Sequence, residues 1–313
     1  MKAAQYSEYG DPTVIKINDI EKPTLLPEMI LVEVKAASLN PFDYKVRRGY
    51  LKDSMPLTFP ITIGGDYSGT VIEVGSNVTG YAVGDQLYGQ ASVFGGATGS
   101  IAEFLLAKPG SSAKMPSNLS FIESASLPLV GSSAIQALED HIHLSQGQKI
   151  LIHGGSGGIG TIAIQIAKYL GAYVITTSGT ESLDTVKGLG ADEVIDYKTQ
   201  KFQEIVHDVD AVFNATGQEE SSNNSFQVLK KGGILVSMNS DFDKNIADKY
   251  GINVIGQMSQ VTTERLTKLT KYIEEGIVKP QVDKIFDFEK VTEAYEYLET
   301  GHPKGKVVIK IRE

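Results

Sequence analysis

The chain has 313 residues but contains no cysteine and no tryptophan. Without cysteine it cannot form a disulfide, a thiolate nucleophile or a thiolate zinc site. Histidine is also scarce, because there are five in all and the first is His141. Imidazole is therefore absent as a metal ligand from every position before residue 141.

Other absences limit location and partners. No apolar run approaches the roughly 20 residues of a membrane-spanning helix. The segment Met1–Tyr6 lacks the apolar stretch of a signal peptide. We therefore expect a cytoplasmic protein with no membrane partner. A net charge of −9 also argues against a nucleic-acid partner, because binding a phosphate backbone needs a basic surface.

The most informative segment is a glycine-rich turn in the middle of the chain. An apolar run, Lys149–His153, leads into glycines spaced Gly155-x-Gly157-x-x-Gly160. A helical pattern follows at once, with apolar residues on one face at Ile159, Ile162, Ala163, Ile166, Ala167 and Leu170. A strand, this spacing and a helix together predict a dinucleotide-binding loop, in which backbone N–H groups hold a pyrophosphate. The predicted loop contacts are Gly155, Ser156, Gly157, Gly158, Ile159 and Gly160.

The two parts of the chain differ in rhythm. Residues 1 to about 117 contain short alternating segments such as Ile30–Ala36 and Thr70–Val74, separated by glycine and proline, which predicts a β-barrel or sandwich. Strands then alternate with helices, which predicts a parallel sheet covered on both faces. The strands of that sheet are expected at 149–153, 172–177, 193–196, 210–214, 233–238 and 252–256.

Four motifs carry a resemblance to a known family. They are Ser38–Lys45, Gly64–Gly69, Ala191–Tyr197 and Gly301–Val308. The chain resembles the zinc-free quinone oxidoreductase branch of the medium-chain dehydrogenase/reductase superfamily. The resemblance implies an α/β fold in which a doubly wound Rossmann sheet, residues 121–279, is inserted into a GroES-like β-barrel catalytic domain. That catalytic domain would comprise residues 1–120, completed by residues 280–313.

The same resemblance addresses the metal. Zinc-dependent alcohol dehydrogenases of the superfamily have Cys, His and Glu where this chain has Asn40, Gly65 and Asp66. We therefore expect no zinc, and we expect Asp43 and Asp66 to make structural hydrogen bonds. Without a Lewis acid an alcohol is hard to activate for hydride loss, so the chain is predicted to be a metal-free reductase.

The cofactor is predicted to be NADPH. An NAD site usually has an acid at the tip of the second strand, whereas this strand ends in Thr177, Ser178 and Gly179. These residues leave room for a 2′-phosphate and offer hydroxyl and amide donors, and Lys187 or Lys198 could add positive charge. The resemblance adds Tyr197 to this pocket. It further implies contacts with the nicotinamide ribose at Asn214 and Thr216, and with the nicotinamide at Ser237, Met238 and Asn239. Ser133 is implied to touch either the cofactor phosphate or the nicotinamide side.

Candidate catalytic residues follow from the chemistry. Hydride addition to an enone creates an enolate oxygen that needs a donor, and Asn40, Tyr44 and Tyr50 carry N–H or O–H groups. The alternative is that Asn40 only shapes the turn before Pro41 and that Tyr44 packs in the barrel. Arg47 and Arg48 are expected to be surface charges, and the alternative is that one of them reaches a cofactor phosphate.

The predicted function is NADPH-dependent, zinc-independent reduction of a small-molecule quinone or α,β-unsaturated carbonyl. Two alternatives stay open, an enoyl-thioester reductase and a non-enzymatic NADPH-binding regulatory protein. The sixth predicted strand, Ile252–Gly256, would lie at a sheet edge. Because an unpaired edge needs cover, we expect a homodimer formed across a two-fold axis.

Overall fold

The computed structural model of the protein describes residues 1–91, 98–238 and 242–312. Its strands are β1 Lys2–Tyr6, β2 Lys16–Asp19, β3 Ile30–Ser38, β4 Ile61–Thr62, β5 Asp66–Val74, β6 Gln86–Gln90, β7 Phe104–Ala107, β8 Ser112–Lys114, β9 Lys149–His153, β10 Tyr173–Ser178, β11 Glu193–Asp196, β12 Val209–Asn214, β13 Leu229–Ser237, β14 Asn253–Gly256, β15 Val282–Asp287 and β16 Lys306–Lys310. Its α-helices are α1 Pro41–Arg47, α2 Phe121–Ala125, α3 Pro128–Ile135, α4 Gly158–Tyr169, α5 Leu183–Gly188, α6 Glu219–Ser225, α7 Lys244–Tyr250, α8 Thr263–Glu274 and α9 Val291–Glu299. A π-helix, Gln136–His141, follows α3.

The described chain divides into two compact units. Unit 1 comprises Met1–Leu129, Val261–Glu274 and Pro280–Glu313, and unit 2 comprises Val130–Gln260 and Glu275–Lys279. This grouping differs from the predicted boundaries at two places, because residues 121–129 and 261–274 lie in unit 1. For α8 the reason is local: the hydroxyl of Tyr88 in β6 donates to the backbone carbonyl of Leu266 at 2.7 Å. The catalytic and cofactor roles of the two units stay predictions.

Unit 1 is mostly antiparallel. One sheet has the order β15-β16-β3-β5-β6-β8, with β7 also paired to β3, and a second has the order β2-β1-β4. β7 pairs the first half of β3 and β16 pairs its second half, while β5 runs along the opposite edge of β3. The two late strands β15 and β16 thus complete a sheet whose other strands, β3 and β5 to β8, lie early in the chain.

β5 is longer than predicted, because Gly69 lies inside it and does not end it. A Cβ at Gly69 would lie 2.2 Å from the backbone oxygen of Glu33 on β3. The glycine is therefore required by the close approach of two paired strands, a common reason for glycine within a sheet.

Unit 2 contains the predicted parallel sheet. Its strand order is β11-β10-β9-β12-β13-β14, and every neighbouring pair is parallel. Helices α4, α5, α6 and α7 follow strands β9, β10, β12 and β13 in the chain, and each precedes the next strand of the sheet. The order runs outwards in one direction from β9 to β11 and in the other from β12 to β14. Ligands of such sheets bind at the carboxyl edge where the direction changes, which here is the edge formed by the ends of β9 and β12.

Two further observations concern the described part of the chain. None of its helices is long and apolar enough to cross a membrane. Within the same residues, no three His, Asp or Glu side chains are grouped closely enough to hold a metal ion.

Candidate functional site

The glycine loop joins β9 to α4, and two of its glycines are required by the chain's own packing. A Cβ at Gly155 would lie 2.2 Å from Oγ1 of Thr176, and one at Gly160 would lie 2.1 Å from the carbonyl oxygen of Gly154. Gly154 itself has a φ of 76°, in the left-handed region. These three glycines keep the loop tight against the sheet and the first turn of the helix.

Gly157 is different, because none of the residues that the structure describes excludes a side chain there. Its Cβ would meet only the carbonyl oxygen of Gly154, at an ordinary contact distance of 3.4 Å. Gly157 is the N-cap of the 12-residue helix α4, and this N-cap residue offers no side-chain hydrogen bond to the helix end. An anion such as a pyrophosphate fits at a helix N-terminus of this kind, so the space in front of Gly157 suits the predicted cofactor.

His153 supports the loop from inside the sheet. Its Nε2 lies 2.9 Å from the hydroxyl of Ser225, its Nδ1 lies 3.2 Å from that of Thr177, and its ring packs against Phe202. Burial lowers the pKa of His153 to about 4, because the imidazolium would lose its hydration. The residue is therefore neutral at pH 7 and packed in the sheet.

The tip of the second strand differs from the prediction. Thr177 and Ser178 are buried, and the Thr177 hydroxyl accepts the N–H of Gly154 at 3.3 Å. Their hydroxyls are thus directed into the protein and are not the free donors expected for a 2′-phosphate. Successive side chains of β10 point to opposite faces, and both are buried because this parallel sheet is covered on both faces.

Charged and aromatic groups lie beside this tip instead. A Cβ at Gly179 would lie 3.2 Å from Oε2 of Glu181 and 3.4 Å from the hydroxyl of Tyr197. Lys198 donates to Glu181 at 2.6 Å, and this hydrogen bond raises the pKa of Lys198. An acid therefore lies near the strand tip after all, but an ammonium group neutralises it. Lys187 is exposed on α5.

The ends of β12 and β13 hold the next predicted contacts. The Asn214 side chain donates to the hydroxyl of Ser222 at 2.9 Å and accepts from the Thr216 hydroxyl at 2.6 Å, so it shapes the turn after β12. Ser237 is buried and Met238 is partly exposed. The predicted contact at Asn239 lies outside the described residues.

Ser133 lies in a polar cluster that the sequence did not predict in full. Its hydroxyl is 2.6 Å from that of Ser259, and its carbonyl accepts from Nε2 of Gln257 at 3.1 Å. Gln257 also approaches the sulfur of Met238 at 3.5 Å. The missed signal was positional: Gln257 follows the sixth strand as Met238 follows the fifth, at the edge where ligands bind.

In unit 1, Asn40 and Asp66 occupy positions that hold zinc ligands in the zinc-dependent alcohol dehydrogenases. Here they form a buried polar cluster with Lys306. Asn40 donates from Nδ2 to Asp66 at 2.9 Å, and Asp66 also accepts the Leu129 N–H at 3.2 Å. The Lys306 ammonium donates to Oδ1 of Asn40, to Asp66 at 3.4 Å and to the carbonyl of Leu39 at 2.8 Å. Burial lowers the pKa of Lys306 and raises that of Asp66, while the charge of each opposes the shift of the other.

This cluster bears on two predictions. Asn40 is 3% exposed and its amide bonds to Lys306 and Asp66, so the N–H group predicted for a substrate oxygen is already engaged with a carboxylate. Asp43 and Asp66 make structural hydrogen bonds, as predicted, since Asp43 accepts the Asn40 backbone N–H at 2.8 Å. Burial raises the pKa of Asp43 to about 7, and the nearby Asp66 adds to the effect.

The two tyrosines predicted beside Asn40 differ in exposure. Tyr44 on α1 packs partly against the hydrophobic core of unit 1, as the alternative for this residue expected, and burial raises its pKa. Tyr50, after the end of α1, is 67% exposed. Of the three candidates, Tyr50 is therefore the most exposed side chain.

The expected surface position of Arg47 is wrong. Its side chain is fully buried, is ion-paired with Glu299, and donates to the carbonyl of Gly10 at 3.0 Å. Its guanidinium also lies over the ring of the buried Tyr295 at 5.5 Å. Arg48 donates to the same Glu299 at 2.6 Å. Arg47 thus fixes α1 to α9 and is not available to a cofactor phosphate.

Comparison with known proteins identifies the family. Residues 27–117 match the alcohol dehydrogenase GroES-like domain and residues 189–309 match the zinc-binding dehydrogenase family. The 2-methylene-furan-3-one reductase of Solanum lycopersicum is 38% identical, over 99% of this chain and 79% of that protein. The chloroplastic NADPH-dependent alkenal/one oxidoreductase of Arabidopsis thaliana is 36% identical, with the same coverage of 99% and 79%. The structure of the quinone oxidoreductase from Coxiella burnetii superposes with a TM-score of 0.92 at 35% identity, covering 100% of this chain and 99% of that one.

The chain belongs to the quinone oxidoreductase branch of the zinc-type medium-chain dehydrogenase/reductase superfamily. The resemblance proposed from the four motifs is confirmed, and so is the α/β fold class with a GroES-like domain and a Rossmann-like parallel sheet. One of the matching families is described as zinc-binding, but the ligand positions do not fit zinc. An amide, a glycine and a carboxylate stand there, and the Lys306 ammonium already bonds to the amide and the carboxylate.

Proposed function

We propose that the protein is an NADPH-dependent, zinc-independent reductase of quinones and α,β-unsaturated carbonyl compounds. The observation that carries the proposal is Gly157, whose missing side chain leaves the N-terminus of α4 open although the chain's own packing does not require it. The names of the relatives from Solanum lycopersicum and Arabidopsis thaliana support reduction of this substrate class.

Residues of unit 2 would hold the cofactor. The glycine loop and the first N–H groups of α4 would bind its pyrophosphate, and Ser133 and Met238 would lie on its nicotinamide side. A bound nicotinamide would supply the hydride. The protein's task is then to orient the two reactants and to place a donor at the substrate oxygen that becomes negative.

The choice of NADPH over NADH rests on Lys198 and Tyr197. A free carboxylate at the strand tip would hold a ribose 2′-hydroxyl and repel a 2′-phosphate. Here Glu181 is paired with Lys198 at 2.6 Å, so its charge is compensated. A phosphate would draw the ammonium away from the carboxylate and gain the Tyr197 hydroxyl as a second donor.

Substrate chemistry is assigned to the exposed donor of unit 1. Hydride addition at the β-carbon of an enone leaves charge on the carbonyl oxygen. The Tyr50 hydroxyl is exposed and can donate to that oxygen, with Tyr44 as the partly buried second candidate. Asn40 would then act through its position at the start of α1 rather than by direct donation.

The test is a turnover assay with purified protein. We expect NADPH oxidation with a small quinone or a 2-alkenal, no reduction of NADP⁺ by simple alcohols, and no change after treatment with a zinc chelator. Deuterium from labelled NADPH should be found on the β-carbon of the reduced alkenal. Chelator-sensitive ethanol oxidation would refute the proposal, and so would inertness towards every quinone and alkenal.

Assembly is proposed from the edge of the parallel sheet. Among the described strands β14 pairs only with β13, and Met258, just after β14, is 84% exposed. We infer that β14 pairs with its copy across a two-fold axis. Light scattering at micromolar protein should give twice the 33.8 kDa mass of one chain. A monomer mass under these conditions would contradict it.

A further inference from the structure

Gln257 carries a buried carbonyl oxygen that lacks a donor. The residue follows β14 at the carboxyl edge of the parallel sheet, where its backbone N–H donates to the carbonyl of Ser237 at 2.7 Å. Its side chain is 5% exposed. Within the part of the chain that the structure describes, no hydrogen-bond donor reaches its Oε1. A buried oxygen without a donor is unfavourable, and its place at a ligand-binding edge indicates that a ligand supplies the donor.

The orientation of the Gln257 amide is fixed by its surroundings. Nε2 lies 3.1 Å from the carbonyl oxygen of Ser133 and 3.4 Å from the hydroxyl of Ser259. A carbonyl oxygen only accepts hydrogen bonds, so the amide must turn its N–H groups towards Ser133. If the amide were flipped, two carbonyl oxygens would face each other. Oε1 is therefore held on the side away from the Ser133 carbonyl.

The neighbours of Gln257 identify the kind of donor. Met238 is a predicted contact beside the nicotinamide, and Ser133 is a predicted contact of the cofactor phosphate or of the nicotinamide. Gln257 contacts both residues, with Nε2 at 3.5 Å from the Met238 sulfur. At the reactive end of a nicotinamide nucleotide the carboxamide is the group that carries an N–H₂. A carbonyl oxygen held in a fixed direction is a suitable acceptor for it.

The geometry points to Gln257 as a cofactor-orienting residue whose Oε1 accepts a hydrogen bond from the nicotinamide carboxamide. The inference rests on the proposed function, because it requires a bound nicotinamide. It goes beyond that function by assigning discrimination of the ring substituent to one side chain. Because the Gln257 N–H₂ group is held by the Ser133 carbonyl, only Oε1 is available to the ligand. A ring substituent without an N–H group therefore forms no hydrogen bond with Gln257.

The experiment compares two ligands and two glutamines by calorimetry. The ligands are NADP⁺ and its 3-acetylpyridine analogue, which keeps the carbonyl but has a methyl group in place of the N–H₂. The variants are Gln257→Met, which removes the acceptor at similar volume, and Gln136→Met as the matched control. Gln136 is also buried, but its Oε1 already accepts the Gln260 N–H at 3.0 Å and its Nε2 donates to the Met258 carbonyl at 3.2 Å.

Wild-type protein should bind NADP⁺ about 3- to 10-fold more tightly than the analogue, the ratio expected for one hydrogen bond. Gln257→Met should bring the ratio close to one, and Gln136→Met should keep the wild-type ratio. Adenosine 2′,5′-bisphosphate, which has no nicotinamide, should bind wild type and Gln257→Met equally and so report that the variant is folded.

The outcomes separate the two proposals. If wild type binds neither NADP⁺ nor the bisphosphate, the proposed function fails and this inference with it. If NADP⁺ binds but wild type does not discriminate against the analogue, only the assignment of Gln257 is overturned. The same holds if Gln257→Met keeps the full ratio.

Discussion

Two polar regions of the molecule differ in how their hydrogen bonds are satisfied. They are the cluster around Asp66 in unit 1 and the carboxyl edge of the parallel sheet in unit 2. In the cluster the chain satisfies its own charges, since Lys306, Asn40 and the Leu129 N–H all bond to Asp66. At the sheet edge the space in front of Gly157 is open, and among the described residues Oε1 of Gln257 has no hydrogen-bond donor. A buried polar group whose hydrogen bonds are all made within the protein has a structural role. A buried polar group that lacks a partner at the carboxyl edge of a parallel sheet indicates where a ligand binds.

The largest effect is expected from breaking the closed cluster. Lys306→Met leaves the Asp66 carboxylate buried without its cation, which should cost about 3–5 kcal/mol of unfolding free energy. Urea denaturation would measure this loss. Lys306→Met combined with Asp66→Asn should recover part of it, because the uncompensated charge is gone.

The control for this prediction is Lys114→Met, which removes an exposed ion pair with Asp85. Such pairs contribute less than about 1 kcal/mol. A loss at Lys306 no larger than the loss at Lys114 would show that the cluster does not depend on its internal cation.

The second prediction contrasts two glycines of one loop. Gly157→Val should reduce NADPH affinity at least about 100-fold, because the side chain occupies the pyrophosphate position, while changing the unfolding free energy by only about 1 kcal/mol. Gly160→Val should instead cost about 3 kcal/mol of stability, because its Cβ would collide with the Gly154 carbonyl at 2.1 Å. Calorimetry and urea denaturation of both variants would test the contrast. Full NADPH affinity in Gly157→Val would remove the argument for the open cradle.

The smallest effect is expected at Lys198, beside the carboxyl end of β10, and concerns the preference for NADPH over NADH. Lys198→Ala removes the cation beside the strand tip and frees Glu181, so the ratio of NADPH to NADH affinity should fall about tenfold. The change can be followed by titrating each cofactor against tyrosine fluorescence. Lys201→Ala is the matched control, because Lys201 is an exposed lysine of the same loop that pairs with Glu204 at 3.6 Å. An unchanged ratio in Lys198→Ala would assign the preference to other groups.

Sequence patterns predicted the parts of the protein that depend on neighbours in the chain. The strand, glycine loop and helix of 149–170 and the parallel sheet follow from local periodicity, which the structure keeps. The resemblance to the family also predicted the fold, because the four motifs that carry it are spread over nearly the whole length of the chain.

Features that depend on distant partners escaped prediction. Arg47 was expected at the surface because its charge is visible in the sequence, while its partner Glu299 lies 252 positions away. Lys306 meets Asn40 across 266 positions, and Gln257 meets Ser133 across 124. The burial of Thr177 and Ser178 escaped prediction for a related reason, because the exposure of a side chain at a strand end depends on what covers that end.

The pairing of β16 with β3 also has a consequence for the order in which the protein is made. All strands of the parallel sheet lie between residues 149 and 256, so they can pair before the ribosome reaches Lys306. Asp66 must wait for its cation, and the second half of β3 must wait for its neighbour, until more than 200 further residues have been translated. During synthesis the first-made part of the chain is therefore the last to be completed, and it is the part most in need of protection by chaperones.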